Sequence, residues 1–305
     1  MPEAGTVAWI FPGQGSQWVG MGRDLADADP EIARLYASAD EMLGFGLSEI
    51  IFNGPDEALQ QTPVQQPAIL LTSIAYLHAL RKREVLPEAG FVAGHSLGEY
   101  AALVAAGALA FGDALRLVRR RGELMQEHGA GAMAAVLGMA PDDVAAAARD
   151  ARAEVANFNA PDQTTISGRV EAVERAMALA TERGAKRVVP LPVSAAFHSS
   201  LMAPVAEAMR PEIAGTAFSV ARVPLVGNVD ARFLVEPQAL RDELIGHICG
   251  SVRWVDAVAA LGGAGVTTYF EIGPGKVLAG LIGRCAPGAT VFNAERLLAE
   301  SSSAS

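Results

Sequence analysis

Short, wholly apolar runs alternate along the chain with longer stretches in which apolar residues recur at helical spacing. Thr6–Phe11 (TVAWIF) and Phe91–Ala93 predict buried strands, each ending at glycine or proline. Pro30–Leu43, Pro55–Gln61, Ala68–Arg83, Leu97–Leu109 and Phe111–Gln126 predict helices. Ala68–Arg83 ends in a basic turn that suits the helix dipole. From Met133 the spacing shortens. Strands are expected at Ala132–Met139, Glu154–Asn159, Gln163–Ser167 and Arg187–Val193, with helices at Pro141–Arg152 and Val170–Arg183. Beyond them come a helix from Ser199 to Met209, a strand at Val223–Asn228, helices at Leu240–Cys249 and Val252–Leu261, a strand at Thr267–Ile272 and a helix at Val277–Arg284. The terminal AESSSAS is polar and expected to fray.

Alternating strands and helices predict an α/β fold, with a mainly parallel sheet covered on both faces. Between Gly129 and Ser194 the order is β-α-β-β-α-β, which is the ferredoxin-like arrangement. The expected organisation is a discontinuous, α/β-hydrolase-like catalytic domain (1–128 and 198–305) with a small ferredoxin-like α+β subdomain (129–197) inserted. Ligands of such sheets bind at the carboxyl ends of strands. Gln14, Ser96 and the arginines of Phe111–Gln126 fall at or just after such ends.

Composition narrows the class. The 305 residues are 51% hydrophobic and 19% charged, enough to bury a sizeable core. The net charge of −10 argues against nucleic acid or an anionic membrane as main partner. Cys249 and Cys285 make neither a zinc spacing nor a disulfide framework, which points to reducing cytosol. The N-terminal stretch lacks the basic and apolar regions of a signal peptide, and no apolar run reaches the ~18 residues of a membrane helix.

The chemistry centres on Gly94-His95-Ser96-Leu97-Gly98, a Gly-x-Ser-x-Gly placed between a predicted strand and a predicted helix. That context is a nucleophile elbow, with Ser96 exposed on a tight turn at a helix N-terminus. A serine hydroxyl needs an adjacent base. His95 neighbours Ser96 and points away from it. His78 and His128 lie on or beside helices without a motif, and His247 lies within a helical stretch. His198, at the junction of the inserted unit and the large domain, is the preferred base. The loop Pro12–Gln17 is neither a dinucleotide fingerprint nor a Walker A loop. It offers close backbone approach and amides at a strand end. Gly273–Lys276 lacks phosphate-loop spacing and reads as a structural turn. Arg119, Arg120 and Arg121 point about 100° apart around one helix, so one of them can face inward.

Five segments in order, Phe11–Gln17, Gly94–Tyr100, Arg121–Gln126, Ala196–Ser199 and Glu271–Lys276, resemble the malonyl-CoA:acyl carrier protein transacylases of type II fatty-acid synthesis. The acyltransferase domains of polyketide synthases belong to the same superfamily. The resemblance runs from Val7 to about Arg284. It implies Ser96 as the acylated nucleophile, His198 as base and the backbone amides of Gln14 and Leu97 as the oxyanion hole. It further implies that Arg121 grips the malonyl carboxylate. Phe197 matches malonyl-selective members and would narrow the space beside the malonyl C2. A main-chain carbonyl, matched here by that of His247, would orient the base. Fatty-acid members often carry Gln at that position, so His247 is a departure.

The implied partners are malonyl-CoA and an acidic acyl carrier protein, with no metal or redox cofactor, in the cytoplasm. Arg116, Arg120, Lys186 and Arg187 are candidates for a basic rim that meets the carrier. Three other readings stand beside this one. A serine esterase or thioesterase would share the elbow, but its triad runs Ser, Asp/Glu, His, with the His late. A carrier-docking subunit would form no acyl-serine. A free-standing acyltransferase of a polyketide assembly line would run the same chemistry.

Overall fold

Every residue of β1 (Val7–Phe11) is buried, because the strand has a parallel neighbour on each side within a six-stranded sheet. In this computed structural model, which describes residues 6–193 and 195–302, nine strands follow it. They are β2 (Phe91–Gly94), β3 (Ala132–Leu137), β4 (Glu154–Ala160), β5 (Gln163–Gly168), β6 (Arg187–Pro190), β7 (Leu225–Val226), β8 (Phe233–Leu234), β9 (Thr268–Glu271) and β10 (Thr290–Asn293). The first seven helices are α1 (Arg23–Ala28), α2 (Pro30–Leu43), α3 (Leu47–Asn53), α4 (Asp56–Leu59), α5 (Thr62–Lys82), α6 (Gly98–Ala105) and α7 (Phe111–His128). The remainder are α8 (Pro141–Ala151), α9 (Val170–Glu182), α10 (Ala203–Ala214), α11 (Pro237–Cys249), α12 (Trp254–Gly263), α13 (Val277–Cys285) and α14 (Ala294–Ser302).

The large sheet has the order β10-β9-β1-β2-β7-β8 and is parallel except at β7–β8. The fold is mixed α/β with a mainly parallel sheet, as the alternation of elements predicts. Side chains alternate across β1. Val7, Trp9 and Phe11 join one core with α2, α5, α6 and α7, while Ala8 and Ile10 join a second with α12 and α13. Burial on both faces explains why VAWIF is apolar throughout. The second sheet, β4-β5-β3-β6, is antiparallel, and its core is shared with α8 and α9. Its β4 edge meets the chain after α11. Val252 N donates to Ala156 O and Phe158 N to Val252 O, both at 2.8 Å. No described helix is long and apolar enough to cross a membrane.

Several element boundaries differ from expectation. α5 starts at Thr62, not Ala68, and carries Pro67 inside it. Proline there leaves the carbonyl four residues back, that of Pro63, without its helical donor. Arg119 Nη1 supplies one instead, at 2.9 Å. α6 ends at Ala105 instead of Leu109, because Gly107 turns the chain at φ 70°. Of the strand expected at Val223–Asn228 only Leu225–Val226 pairs. β8 is too short to leave a pattern, and β10, at the sheet's edge, is too exposed to leave one. α14 carries the polar tail as helix to Ser302, because Leu298 on its inner face is buried in the main core. The last three residues of that tail, and Ser194 at the expected edge of the inserted unit, lie outside the described residues.

Candidate active site

β2 ends at Gly94 and α6 begins at Gly98, so the chain reverses over three residues. Ser96 sits at the apex with φ 51°. That left-handed conformation costs a non-glycine residue on the order of 1–3 kcal/mol and is held by its surroundings. The flanking glycines are steric necessities. A Cβ on Gly94 would overlap the backbone of Gly98 and Glu99, and one on Gly98 would overlap Phe11 O. Asn228, just past β7, pins the turn from both arms. Its Oδ1 accepts from Ser96 N at 2.7 Å, and its Nδ2 donates to Gly94 O at 2.7 Å.

The Ser96 hydroxyl donates to His198 Nε2 at 2.8 Å. His198 is itself at φ 57°, so both partners occupy the left-handed region. His198 Nδ1 lies 2.7 Å from His247 O and 3.1 Å from Gly250 O. Carbonyl oxygens only accept, so Nδ1 carries the proton and Nε2 presents its lone pair to Ser96. Burial pushes the His198 imidazole down to about 3, with His247 and Arg121 adding to the effect. It is therefore neutral near pH 7 and able to take a proton.

Arg121, from the middle of α7, is 1% exposed. Its Nη1 donates to Gln66 Oε1 at 2.7 Å and its Nη2 to Ser96 Oγ at 3.2 Å. Its Nε has no partner, and no carboxylate pairs with it among the described residues. A buried guanidinium without a counter-charge is costly, and an anionic group seated at Ser96 would supply one. The neighbouring arginines point elsewhere. Arg119 bonds Pro63 O and Glu123, while Arg120 faces Glu123 and Glu212 on the surface.

Gln14 follows β1, beside Gly13, which packs against the backbone of His95. Its side chain donates to Gln65 Oε1 at 2.5 Å. The backbone N–H groups of Gln14 and Leu97 donate to no protein acceptor among the described residues. Leu97 and Phe197 are buried. His95 Nε2 lies 2.8 Å from Asn159 Oδ1, away from the hydroxyl. The carboxyl ends of β1, β2 and β7 thus bring together Gln14, Ser96 and Asn228, where ligands of parallel sheets bind.

His247 is wholly buried. Its Nδ1 contacts Glu99 Oε2, and its Nε2 has no partner. Glu99 Oε1 accepts from Asn228 N at 2.9 Å and from Asn228 Nδ2 at 2.6 Å. Glu243 Oε1 accepts from Asn228 N at 2.6 Å and from Val229 N at 2.9 Å. Among the described residues two sets have their ligating atoms within 4.8 Å of one another: Glu99, Glu243 and His247, and at the surface Asp29, Glu31 and His78. In the first set the amides just named engage Oε1 of each glutamate, and His247 Nδ1 engages Glu99 Oε2. In the second, Lys82 Nζ lies 2.8 Å from Asp29 and 3.0 Å from Glu31.

Sequence reasoning missed Asn228, Gln66, Gly250 and the part Glu99 plays. Asn228 left a faint sign, a lone amide closing the apolar run VPLVGN. Gln65-Gln66 left another, two amides on a helix that is buried on nearly all sides. Of the expected rim, Arg116 pairs with Asp113 and Arg120 with Glu123, whereas Lys186 and Arg187 are exposed without a salt bridge among the described residues.

Residues 8–279 match the family described as the acyl transferase domain. The chain is 46% identical over 284 residues to the malonyl CoA-acyl carrier protein transacylase of Bacillus subtilis (strain 168), covering 90% of this chain and 89% of that one. It superposes on the malonyl CoA-acyl carrier protein transacylase of Coxiella burnetii with a TM-score of 0.93 at 36% identity, covering 97% of both chains. It is also similar to a malonyl-transacylase solved in complex with a type II polyketide synthase acyl-carrier protein, with a TM-score of 0.91 at 38% identity, covering 94% and 95%.

Proposed function

The chain belongs to the acyl transferase family, and on that premise we propose that it moves malonyl from malonyl-CoA to the phosphopantetheine thiol of an acyl carrier protein through a malonyl ester of Ser96. Ser96 Oγ attacks the thioester carbonyl carbon as its proton passes to His198 Nε2. The resulting oxyanion rests on the amides of Gln14 and Leu97. Donors fixed in this way usually stabilise such a transition state more than any other feature of the site. Collapse breaks the carbon–sulfur bond, and the His198 imidazolium protonates the departing CoA sulfur. In the second half the carrier thiol gives its proton to His198 and attacks the malonyl ester, and Ser96 leaves reprotonated. The carbonyl of His247 holds the imidazole in the required tautomer. Arg121 binds the malonyl carboxylate with its planar fork, and Phe197 narrows the space at C2.

One observation carries this reading. A neutral imidazole and a buried, unpaired guanidinium converge on the same hydroxyl oxygen, at 2.8 and 3.2 Å. The first is what acyl transfer needs, and the second selects an acyl group that bears a carboxylate. The reading takes 1–128 with 198–305 as an α/β-hydrolase-like catalytic domain and 129–197 as a ferredoxin-like subdomain, supported by the order β4-β5-β3-β6. The free thiols Cys249 and Cys285 suit a cytoplasmic setting. The relative solved with a polyketide synthase carrier favours a second reading, in which the carrier serves polyketide assembly. The test is a chase. Protein loaded from malonyl-CoA and freed of it is mixed with holo carrier proteins of both kinds. Malonyl should appear on a carrier thiol as it leaves the protein. Release as free malonate with both carriers present would favour the esterase reading.

A further inference from the structure

The hydrogen bonds around the elbow close into a ring. Ser96 Oγ reaches His198 Nε2, and His198 Nδ1 reaches His247 O. The His247 ring reaches Glu99, Glu99 reaches Asn228, and Asn228 Oδ1 returns to Ser96 N. Glu243 is attached to this ring without touching Ser96 or His198. It shares the Asn228 N–H with Glu99 and also takes the N–H of Val229. Glu99, Asn228 and His247 are at most 1% exposed, and Glu243 is 6% exposed.

We propose that Glu243, together with Glu99 and His247, is a positioning residue for acyl transfer: a single proton shared by the two carboxyls keeps Asn228 and His247 in place and thereby aligns Ser96 with His198. The inference rests on the function proposed above and gives the departure at His247 a role.

Proton placement follows from the donors. His247 Nε2 has no acceptor, so the ring proton belongs on Nδ1, facing Glu99 Oε2. Glu99 then receives His247 Nδ1–H and both Asn228 donors, which suits a carboxylate. Glu243 has only the two main-chain donors and bonds to Glu99, so the shared proton sits on Glu243 and is donated to Glu99. Burial raises this pair, and the proximity of Glu99 adds to the effect at Glu243, so the shared proton stays bound up to about pH 8. The other titratable groups facing this cluster are Arg121 from α7, Tyr100 from α6 and His198, and Asp230, Arg232 and Asp242 line the surface cavity that Glu243 borders. Arg121 favours the ionised form of Glu99. Burial raises the Tyr100 hydroxyl to about 12, so it stays protonated where the two carboxyls titrate. Loss of the shared proton puts two carboxylates around one amide. Their repulsion displaces Asn228 and His247, and with them the nucleophile and the base.

The test is the single-turnover rate of acylation by malonyl-CoA, measured on the full chain between about pH 6 and 9.5. This half-reaction has no carrier thiol to titrate. The unaltered protein should lose rate roughly tenfold per unit above about pH 8. In Glu243→Gln an amide N–H replaces the shared proton and cannot dissociate. Its rate should be lower by less than about tenfold at pH 7 and should stay level to about pH 9.5. An alkaline limb retained in Glu243→Gln, or absent from the unaltered protein, would overturn the proposal. So would a uniform loss at every pH, since that is what mere destabilisation produces. If Glu243→Gln does not fold, His247→Gln keeps the carbonyl and alters only the ring. Its limb should move by about half a unit or more, and an unmoved limb overturns the proposal. Absence of any adduct in the unaltered protein would count against the proposed function itself, which keeps the two failures apart.

Discussion

Arg121 Nη2 lies 3.2 Å from Ser96 Oγ, and no carboxylate forms an ion pair with it among the described residues. Gln66 holds the cation beside the Ser96 hydroxyl, and in the proposed reading it receives the malonyl carboxylate. Arg121→Ala should change which acyl group is used more than whether acylation occurs. A charge-assisted contact of about 1.5–3 kcal/mol corresponds to roughly ten- to hundredfold in kcat/KM for malonyl-CoA. Acetyl-CoA has no carboxylate, so its kcat/KM should hold or rise. Arg120→Ala, at a surface position, should shift the ratio of the two little. Equal losses for both substrates in Arg121→Ala would show that the fork does not select.

His198→Ala removes the only imidazole within hydrogen-bond reach of Ser96 among the described residues. Acylation should slow by about 10²–10⁴-fold, the usual range for a lost general base. His247→Ala keeps the carbonyl that His198 Nδ1 uses, so it should be the milder change. Single-turnover acylation of the two variants decides, and the reverse order would place the base wrongly.

How far the sequence shows this site depends on which atoms carry the work. In the proposed reading Ser96, His198 and Arg121 act through side chains set in local motifs, and each could be picked out by residue number. Asn228 is held to its partners only by folding. It lies 132 positions from Ser96 and 129 from Glu99. Its strand partners for only two residues, so periodicity cannot announce where it ends. Gly250 contributes a carbonyl, which no residue type encodes. The fold divides in the same way. β1 and β2, buried on both faces, are plain in the apolar pattern. β8 and β10 sit at the edges of the sheet, β8 only two residues long and β10 with partly or fully exposed side chains, and show no such pattern.

Asn228→Ala should cost stability as well as activity. It strands the Ser96 N–H and the Gly94 carbonyl, and it takes one of the donors from Glu99. Each unmet buried group costs about 1–3 kcal/mol. The expected result is a lower urea midpoint with an unaltered m-value. An unchanged midpoint would mean that the elbow holds itself.

Stability should fall on both sides of a mildly acidic optimum. Burial lowers His198 and His247 to about 3 from the ordinary 6.5, so the unfolded chain binds more protons between those values. Stability is therefore lost as pH drops through that window. Burial raises the Glu99–Glu243 pair above the ordinary 4.5, so the proton the two share stays bound in the folded chain up to about pH 8. Stability is lost as pH rises through that window. The effects oppose each other between about 4.5 and 6.5, where the curve should be flattest. Melting temperatures across pH give the answer, and stability that rises from about pH 6.5 to 8 would contradict these buried charges.

The central claim is that Ser96 carries the malonyl group. Intact mass, after brief incubation with malonyl-CoA, tests it on the unaltered chain and on Ser96→Ala. The unaltered chain should gain one malonyl group, and Ser96→Ala should gain none while melting as a folded protein. A malonyl adduct on Ser96→Ala, or none on the unaltered chain, would contradict the account.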